Sequence, residues 1–376
     1  MLSSRSIHRR FAAFVALLVV VSMTMFSLEA CAMQGRDPVA QAGQGKLIPY
    51  RKGEKWGFSD AKKKLVVQPR YDSADRFSEG LAGVALNGKW GFIDEDGKEV
   101  IPLRYDRAYS FSEGLAAVKM NDKYGYIDKS GKEVIPLKYD FAGSFSDRMA
   151  EAKMNDKWGF IDKNGKEVIS LKWDSVTLFS EGMSGVLLNG KCGFIDKSGK
   201  EVIPLRYDQA HSFSEGLAAV KMNDKYGYID KSGKEVIPFK YDFAESFSDG
   251  MAWVALDRKL IFIDKSGKEV IPFPVEMALR FSEGLASVTL NKKWGFIDKS
   301  GNAVIPLKYD GAGLFSEGLA AVNVNGKYGF IDKSGKEVIP PRYDAAPGSF
   351  SNGFALVTLN GRDGYIGRDG TEYFEP

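Results

Sequence analysis

The chain has 376 residues, of which 44% are hydrophobic and 27% charged, so its composition is that of a globular protein with ample core material. The formal net charge is only +3, and no basic block interrupts the mixed lysines and glutamates, which argues against nucleic-acid binding. Two cysteines are too few for a disulfide-stapled fold.

Residues 1–31 have the layout of a secretory signal peptide. An uncharged apolar run extends from Phe11 to Phe26, and small residues follow it. Four basic side chains precede the run: Arg5, His8, Arg9 and Arg10. The sequence therefore predicts export, with a linker over 32–46 and a folded β domain over 47–376. An uncleaved membrane anchor is the alternative, because the apolar run is nearly long enough to cross a bilayer.

The end of this segment allows two modes of cleavage. Ala30 and Ala32 fit an A-x-A signal-peptidase site, whereas the run from Leu28 to Cys31 resembles a bacterial lipobox. In the second case Cys31 is lipidated, although Glu29 occupies a position that is usually small or apolar. Cys31 is thus a candidate lipidation site. A Cys31→Ala chain that stayed in the membrane fraction at full size would contradict lipidation.

From residue 47 onwards one motif recurs with a period of 34 residues. A fixed period of this length indicates a repeat architecture. The leading aromatic position of the motif, usually followed by glycine, is occupied in turn by Trp56, Trp90, Tyr124, Trp158, Cys192, Tyr226, Leu260, Trp294, Tyr328 and Asp363.

Each unit contains three extended runs and two turns. Asn87-Gly88 lies between apolar runs, which is a strong hairpin signal, and Asp94 to Gly97 fits a type I turn closed by a left-handed glycine. The sequence predicts an all-β chain of about ten three-stranded antiparallel meanders. Helical TPR repeats share the period, but two glycine turns and a proline in each unit exclude them.

The units are joined by segments such as Tyr105 to Gly114. We predict that Asp106 caps a single helical turn there, with Ala108 and Phe111 facing inward. Ten three-stranded units favour an open β-solenoid or superhelix. A closed β-propeller is the alternative. It is less favoured because propellers usually have four to eight blades of four strands each.

Two blocks of the array are near copies of each other. Residues 101–150 and 203–252 differ only at Arg107/Gln209, Tyr109/His211, Leu137/Phe239, Gly143/Glu245 and Arg148/Gly250. This similarity indicates a block duplication, so identity between copies partly reflects history and does not nominate a site.

The seventh unit departs most from the others, with Leu260-Ile261 in place of Trp-Gly and Val275-Glu276 in place of Tyr-Asp. Decay of the motif, or a bend in the array, is the simpler interpretation. A specialised contact surface is the alternative.

The unit Lys89-Trp90-Gly91-Phe92-Ile93-Asp94, with Gly-Lys-Glu-Val-Ile-Pro, Tyr-Asp and Phe-Ser-Glu-Gly after it, resembles the bacterial WG (KWG) repeat over about residues 47–376. The resemblance implies a β-rich protein of the bacterial envelope or surface that mediates interactions. It implies no catalytic residues.

No set of side chains indicates catalysis, a metal or a cofactor. His211 stands where the sister block has Tyr109, which favours a tolerated substitution over a general base. Cys192 favours a small buried hydrophobe over a reactive thiol. Because the aromatic column also accepts Cys192 and Leu260, we expect it to be buried. Most Asp-x-x-Gly turns place lysines beside one carboxylate, too few oxygens for calcium.

These features predict an exported, non-enzymatic repeat protein that mediates protein–protein interaction in the bacterial periplasm or cell envelope. The expected partner is an envelope or surface protein, because repeat arrays present long binding surfaces. The membrane would be contacted only through a lipid on Cys31 or an uncleaved anchor. The alternative function is a carbohydrate- or peptidoglycan-binding module.

Overall fold

The computed structural model describes residues 47–271 and 275–375. The predicted signal peptide, the linker and Cys31 lie outside the described residues. Within the two described ranges the chain forms 38 β-strands and no helix, so the all-β prediction is confirmed. No helix in those ranges has the length and apolarity needed to span a membrane.

The first half of the described chain contains β1 (Ile48–Lys52), β2 (Lys55–Ser59), β3 (Leu65–Tyr71), β4 (Ser73–Ala74), β5 (Ala82–Leu86), β6 (Lys89–Ile93), β7 (Glu99–Tyr105), β8 (Arg107–Ala108), β9 (Leu115–Met120), β10 (Lys123–Asp128), β11 (Glu133–Tyr139), β12 (Phe141–Ala142), β13 (Met149–Met154), β14 (Lys157–Asp162), β15 (Glu167–Trp173), β16 (Ser175–Val176), β17 (Met183–Leu188), β18 (Lys191–Asp196) and β19 (Glu201–Tyr207). The second half contains β20 (Gln209–Ala210), β21 (Leu217–Met222), β22 (Lys225–Asp230), β23 (Glu235–Tyr241), β24 (Phe243–Ala244), β25 (Met251–Leu256), β26 (Lys259–Asp264), β27 (Glu269–Ile271), β28 (Met277–Ala278), β29 (Ala286–Leu290), β30 (Lys293–Ile297), β31 (Ala303–Tyr309), β32 (Gly311–Ser316), β33 (Leu319–Val324), β34 (Lys327–Asp332), β35 (Glu337–Tyr343), β36 (Phe354–Leu359), β37 (Arg362–Gly367) and β38 (Phe374–Glu375).

In the described chain these strands form nine four-stranded sheets and one two-stranded sheet, β36–β37. Eight of the four-stranded sheets follow chain order, from β4–β7 to β32–β35, and we number them blades 2 to 9. Blade 1 has the order β3-β2-β1-β38, so the first and last strands of the described chain meet in it. The result is a nine-bladed β-propeller.

The prediction of an open solenoid or superhelix is therefore wrong, and the closed alternative is correct. The two ends are joined by backbone and side-chain contacts: the Arg51 amide donates to the Tyr373 carbonyl at 3.2 Å, and the Tyr50 hydroxyl donates to Glu375 at 2.9 Å. Further round the ring, Arg76 Nη1 donates to the Ser351 carbonyl at 2.9 Å. Closure removes the two unpaired sheet faces that an open array would leave at its ends.

The fourth strand of blades 2 to 9 comes from the connecting segment, which explains why three strands per unit were expected. Arg107–Ala108, for example, pairs antiparallel with Lys119 and Val118 of β9. We call this opening strand of each blade the edge strand; it is two residues long except in β32. It is too short for hydrophobic alternation to reveal it in the sequence.

The predicted helical turn is also absent from the connecting segments that the structure describes. Asp106 does not cap a helix. Its carboxylate instead accepts hydrogen bonds from Lys89 Nζ at 2.6 Å and from the Asn121 amide at 2.9 Å, so it ties two neighbouring strands to the edge strand. The predicted inward orientation of Ala108 and Phe111 is confirmed, because both are buried.

The two turn predictions are confirmed. Asn87 and Gly88 both have positive φ, as a type I′ hairpin requires, and the Gly97 amide donates to the Asp94 carbonyl at 3.0 Å. The glycine of the Trp-Gly pair has a different role. A Cβ on Gly91 would collide with the Ile101 carbonyl of the next strand, so this position admits no side chain.

The core runs continuously between adjacent blades. Phe92 and Ile101 of blade 2 pack in one cluster with Phe111 and Val118 from the start of blade 3, and equivalent clusters recur around the ring. Burying each such side chain contributes about 1.5–3 kcal/mol. Each blade thus depends on its neighbour for a core, as in other repeat folds.

The seventh repeat keeps the blade. Ile261 replaces the glycine of β26, and over the described residues β26 pairs with β27 through Phe262 with Ile271 and Ile263 with Glu269.

Candidate functional site

Side-chain variety is concentrated at one edge of the blades. One position of each connecting segment differs from repeat to repeat. It directly follows the edge strand in blades 2 to 8, lies within β32 in blade 9, and precedes β36 in the two-stranded sheet. An alanine usually stands before it, and a phenylalanine follows two residues later. These residues are Asp75, Tyr109, Gly143, Thr177, His211, Glu245, Leu279, Gly313 and Gly348. They lie opposite Gly83, Ala117, Glu151, Gly185, Ala219, Trp253, Ser287, Ala321 and Leu356. We call these nine pairs the variable edge.

The scaffold at the variable edge is uniform. In eight of the nine pairs the amide of the first residue donates to the carbonyl oxygen of the second, at 2.8 to 3.1 Å. The backbone therefore presents six different side chains and three glycines in nearly the same frame. This arrangement is suited to recognition, because specificity can change without altering the fold.

An aromatic cluster occupies the variable edge of blades 6 and 7. Phe243 stacks on Trp253, with ring centroids 4.9 Å apart and planes inclined by 23°. Tyr226 lies 5.5 Å from Phe243, and the His211 ring lies 6.1 Å from Tyr226 and 6.2 Å from Phe243. Tyr226 is buried and the other three rings are half-buried. We refer to these four rings together with Glu245 as the second-copy cluster.

Glu245 is the charged member of this cluster. Its backbone is fixed, because its amide donates to the Trp253 carbonyl at 3.1 Å and its carbonyl accepts from the Tyr228 hydroxyl at 2.6 Å. Its carboxylate accepts a local hydrogen bond from the Ser246 amide at 3.0 Å. In the described chain it forms no ion pair, so the carboxylate is half-buried without a cation.

The charge of Glu245 acts on the neighbouring rings. The pKa of Tyr226 is raised to about 12, first by desolvation and then by this carboxylate, so the phenol keeps its proton and donates to Gln209 Oε1. Desolvation lowers the pKa of His211, and Glu245 offsets that effect only in part. His211 is therefore neutral at neutral pH and does not neutralise Glu245.

The corresponding edge of blades 3 and 4, which we call the first-copy cluster, contains its own cations. The Arg107 guanidinium lies 5.0 Å from the Trp90 ring and 5.6 Å from the Tyr109 ring. The other ring–cation contacts are Lys119 over Tyr124 at 5.8 Å and Lys153 over Trp158 at 6.0 Å. Each of these distances is within the range of a cation–π interaction.

The carboxylate of the first copy sits on a different strand. Glu151 packs its carboxylate against Gly143, where any Cβ would overlap it. Desolvation raises the pKa of Glu151 to about 7. In the second copy Trp253 replaces Glu151 and Glu245 replaces Gly143, so the acid has moved from the second strand of the blade to the residue after the edge strand.

Cys192 is another position at which the two clusters differ. It is buried, as predicted, with Sγ 3.9 Å from the Asp208 carbonyl oxygen, and it occupies the position of Trp90. The aromatic column as a whole is less buried than expected. Trp90 and Tyr226 are buried, whereas six members are only partly covered: Trp56, Tyr124, Trp158, Leu260, Trp294 and Tyr328.

A cavity of about 270 Å³ lies where the chain ends meet, lined by Arg51, Leu359, Asn360, Arg362 and Phe374. Its cations are already engaged. Arg51 donates to the carbonyl oxygens of Asp363 and Gly53, and Arg362 pairs with Glu54 at 3.5 Å. These contacts serve ring closure.

Residues 47–271 and 275–375 contain no group of three or more His, Cys, Asp or Glu side chains placed to hold a metal ion. The sequence nominated no site in the β domain, and the second-copy cluster was missed. Its signal was present: Gln209, His211 and Glu245 are three of the five differences between the duplicated blocks. From the sequence alone, only His211 is interpreted, as a tolerated substitution, because the proximity of the three residues depends on the fold.

Three solved structures illustrate the likeness of the fold. The crystal structure of a eukaryotic initiation factor matches with a TM-score of 0.55 at 12% identity, over 88% of this chain and 95% of that one. BamB from Moraxella catarrhalis matches at 0.34 and 12%, over 80% and 95%. PorZ, a bacterial surface component of the type-IX secretion system of Porphyromonas gingivalis, matches at 0.29 and 11%, over 87% and 52%. The first of these shows a shared fold.

No curated protein sequence matches the chain. The WG containing repeat matches nine consecutive segments: 56–90, 90–124, 124–158, 158–192, 193–226, 226–259, 262–294, 294–328 and 328–362. These segments cover most of the chain, including the seventh repeat. The chain therefore belongs to the family of WG-repeat proteins.

Proposed function

We propose that this protein is an exported, non-enzymatic component of the bacterial envelope that binds a partner protein through its variable edge. The observation that carries the proposal is a backbone frame, kept in eight of nine pairs, that presents six different side chains and three glycines. A catalytic site needs one convergent set of unlike groups, whereas a recognition surface needs several accessible side chains in a fixed geometry. The six side chains at the first position of the pairs are half-buried, so each is partly accessible.

The rigidity of the frame supports this proposal. Each edge strand is hydrogen-bonded to its blade, and serine hydroxyls tie successive connecting segments together, as where Ser78 donates to the Phe111 carbonyl at 2.7 Å and Ser112 to the Phe145 carbonyl at 2.7 Å. A surface that is already ordered loses little conformational entropy on binding. The envelope location rests on the predicted signal peptide, and Cys31 would supply a lipid anchor.

A row of valines offers a natural control surface. These side chains are 37–44% exposed on the last long strand of their blades: Val66, Val134, Val168, Val202, Val236, Val304 and Val338. They repeat almost unchanged, unlike the variable edge. A partner that recognises this protein specifically should contact the variable edge and avoid the valine row.

Photocrosslinking in cells tests the proposal on one blade. A benzoylphenylalanine at Tyr109 places the crosslinker on the variable edge of blade 3, and the same residue at Val134 places it on the valine row of that blade. We expect one dominant envelope protein to be captured from position 109 and much less from position 134. Equal capture from both positions, or capture of no protein, would contradict the proposal.

Carbohydrate binding is the second candidate, favoured by the half-exposed stacked rings of Phe243 and Trp253 beside a carboxylate. Sugar rings commonly pack on such aromatic faces. Capture of peptidoglycan fragments without a dominant protein, from a crosslinker at position 109, would support this second function instead.

A further inference from the structure

The two copies of the duplicated block differ in whether their rings are occupied by cations of the same chain. In the first-copy cluster Arg107 and Lys153 lie over aromatic rings. The second copy has Gln209 and Ala255 at these two positions. Lys119 and its equivalent Lys221 both pair with a nearby aspartate, Asp122 at 2.8 Å and Asp224 at 3.3 Å. Lys119 also lies over the Tyr124 ring, and Lys221 has no such ring contact in the part of the chain that the structure describes.

Together these substitutions make the charge beside the aromatic rings more negative. The second copy keeps Tyr226 and Phe243, adds Trp253, and gains the carboxylate of Glu245. It has no counterpart of the cations Arg107 and Lys153, and the rings that hold them, Trp90, Tyr109 and Trp158, are replaced by Cys192, His211 and Leu260. The rings present negative π faces, and the half-buried carboxylate has no cation of its own. A half-buried carboxylate is favourable when a cation neutralises it, and an aromatic face next to it strengthens the attraction.

We propose that the second-copy cluster binds a cationic side chain, arginine or lysine, of the partner protein. This inference rests on the proposed function and specifies its chemistry. The first copy shows that this edge of the blades can hold a cation over rings, as Arg107 does with Trp90 and Tyr109. In the second copy Cys192 and His211 replace those two rings, and the stacked faces of Phe243 and Trp253 beside Glu245 form the proposed site instead. In the second copy the equivalent cation is supplied by the partner, and Glu245 provides the countercharge.

The neutral state of His211 is consistent with this role. A protonated imidazole beside Phe243 would compete for Glu245 and repel an incoming guanidinium, but desolvation keeps the pKa of His211 low. The buried Tyr226 is held by its hydrogen bond to Gln209 and supports the base of the cluster. Phe243, Trp253 and Glu245 are left half-exposed for contact.

A titration followed by fluorine NMR tests the site directly. The purified full chain is labelled with 5-fluorotryptophan, and the Trp253 resonance is assigned with a Trp253→Phe variant. The probe is the capped peptide acetyl-Gly-Arg-Gly-amide. The control peptide contains citrulline, which has the shape of arginine without its charge. We expect a saturable shift of the Trp253 resonance with the arginine peptide and at least tenfold weaker binding of the citrulline peptide.

Variants locate the effect. Glu245→Gln keeps the shape and should weaken binding of the arginine peptide about tenfold or more. Glu235→Gln, an exposed change on the last strand of the neighbouring blade 6, should leave it within twofold. The double change Gln209→Arg with His211→Tyr places a cation and one first-copy ring beside the cluster, while Cys192 and Glu245 stay. The arginine at 209 then competes with the peptide for Glu245, so peptide binding should weaken.

The result that would overturn the inference is an arginine peptide that fails to shift the Trp253 resonance, or a shift that Glu245→Gln does not change. A shift produced by tetra-N-acetylchitotetraose but not by the arginine peptide would also overturn it, in favour of a glycan site. The two proposals can fail separately. If the Glu245→Gln protein still captures the partner in cells as wild type does, the inference fails while the proposed function stands. If the peptide binds but no partner is captured, the proposed function fails while the cationic site stands.

Discussion

Blades 3 and 4 contain the first copy of the duplicated block, and blades 6 and 7 contain the second. Their strands, turns and hydrogen bonds correspond: Tyr126 donates to the Gly143 carbonyl at 2.7 Å in the first, as Tyr228 donates to the Glu245 carbonyl at 2.6 Å in the second. The side chains at the variable edge do not correspond. The comparison teaches that duplication kept the packing frame and released the edge to diverge.

The largest predicted effect concerns the shared frame. Gly125→Ala in the first copy would place a Cβ 2.5 Å from the Ile135 carbonyl oxygen, and Gly227→Ala in the second would place one 2.7 Å from the Ile237 carbonyl oxygen. Because backbone cannot yield as a side chain can, we expect each change to destabilise the protein by about 3 kcal/mol. The urea midpoint of the full chain measures this effect.

Gly313→Ala is the matched control, since the nearest atom to its added Cβ would be the Ala321 Cβ at 3.7 Å. It should change stability by less than about 0.5 kcal/mol. A large loss of stability from Gly125→Ala with little loss from Gly227→Ala would mean that the two copies do not share their packing constraints. The two copies could then not be compared as equivalent frames.

The next effect belongs to the first copy alone. Desolvation raises the pKa of Glu151 from its ordinary value of 4.5 to about 7 in the folded protein. Between those values the folded state keeps a proton that the unfolded chain loses, so this group makes the protein less stable as pH rises from 4.5 to 7. Glu151→Gln should therefore stabilise the protein at pH 8, by up to about 2 kcal/mol after allowance for partial exposure.

Urea unfolding at pH 8 and at pH 4 measures this effect as the difference between variant and wild type. The gain should be present at pH 8 and absent at pH 4, where the glutamate is protonated in both states. Glu133→Gln, an exposed change in blade 3, should give no pH-dependent difference. An equal gain at both pH values would show that charge is not the cause.

The sequence predicted the strands and turns of each repeat better than the closure of the propeller. Local signals were sufficient for strands and turns: Asn87-Gly88 fixes a hairpin by positive φ, and the apolar runs fix the strands. Closure depends on contacts across more than 300 residues, such as Arg51 with Tyr373, and no local pattern encodes them. The two-residue edge strands are too short for their periodicity to be visible.

The candidate site was even harder to predict from the sequence. Its residues come from two repeats, and their proposed role depends on the lack of a cation of the same chain beside them. From the sequence alone, Cys192 is interpreted as a small buried hydrophobe and His211 as a tolerated substitution. Only when the fold placed Gln209 and Glu245 in the same cluster did these become one set of coupled substitutions.

The smallest predicted effect tests that coupling. Arg107→Gln removes the guanidinium from the Trp90 and Tyr109 faces and makes the first copy resemble the second, so stability should fall by about 0.5–1 kcal/mol, the value of an exposed cation–π contact. The reverse change should not be reciprocal. Gln209→Arg meets Cys192 and His211 instead of an indole and a phenol, and we expect a change of less than about 0.3 kcal/mol.

A double-mutant cycle measures the interaction energy between the side chains at positions 209 and 211. Adding His211→Tyr to Gln209→Arg restores one ring of the pair, and the two changes together should be more stabilising than the sum of their separate effects by about 0.5 kcal/mol. Simple additivity would mean that the second copy cannot hold a cation over its edge even when the first-copy residues are supplied. The difference between the two clusters would then lie in backbone position, and charge complementarity would no longer explain why the second copy diverged.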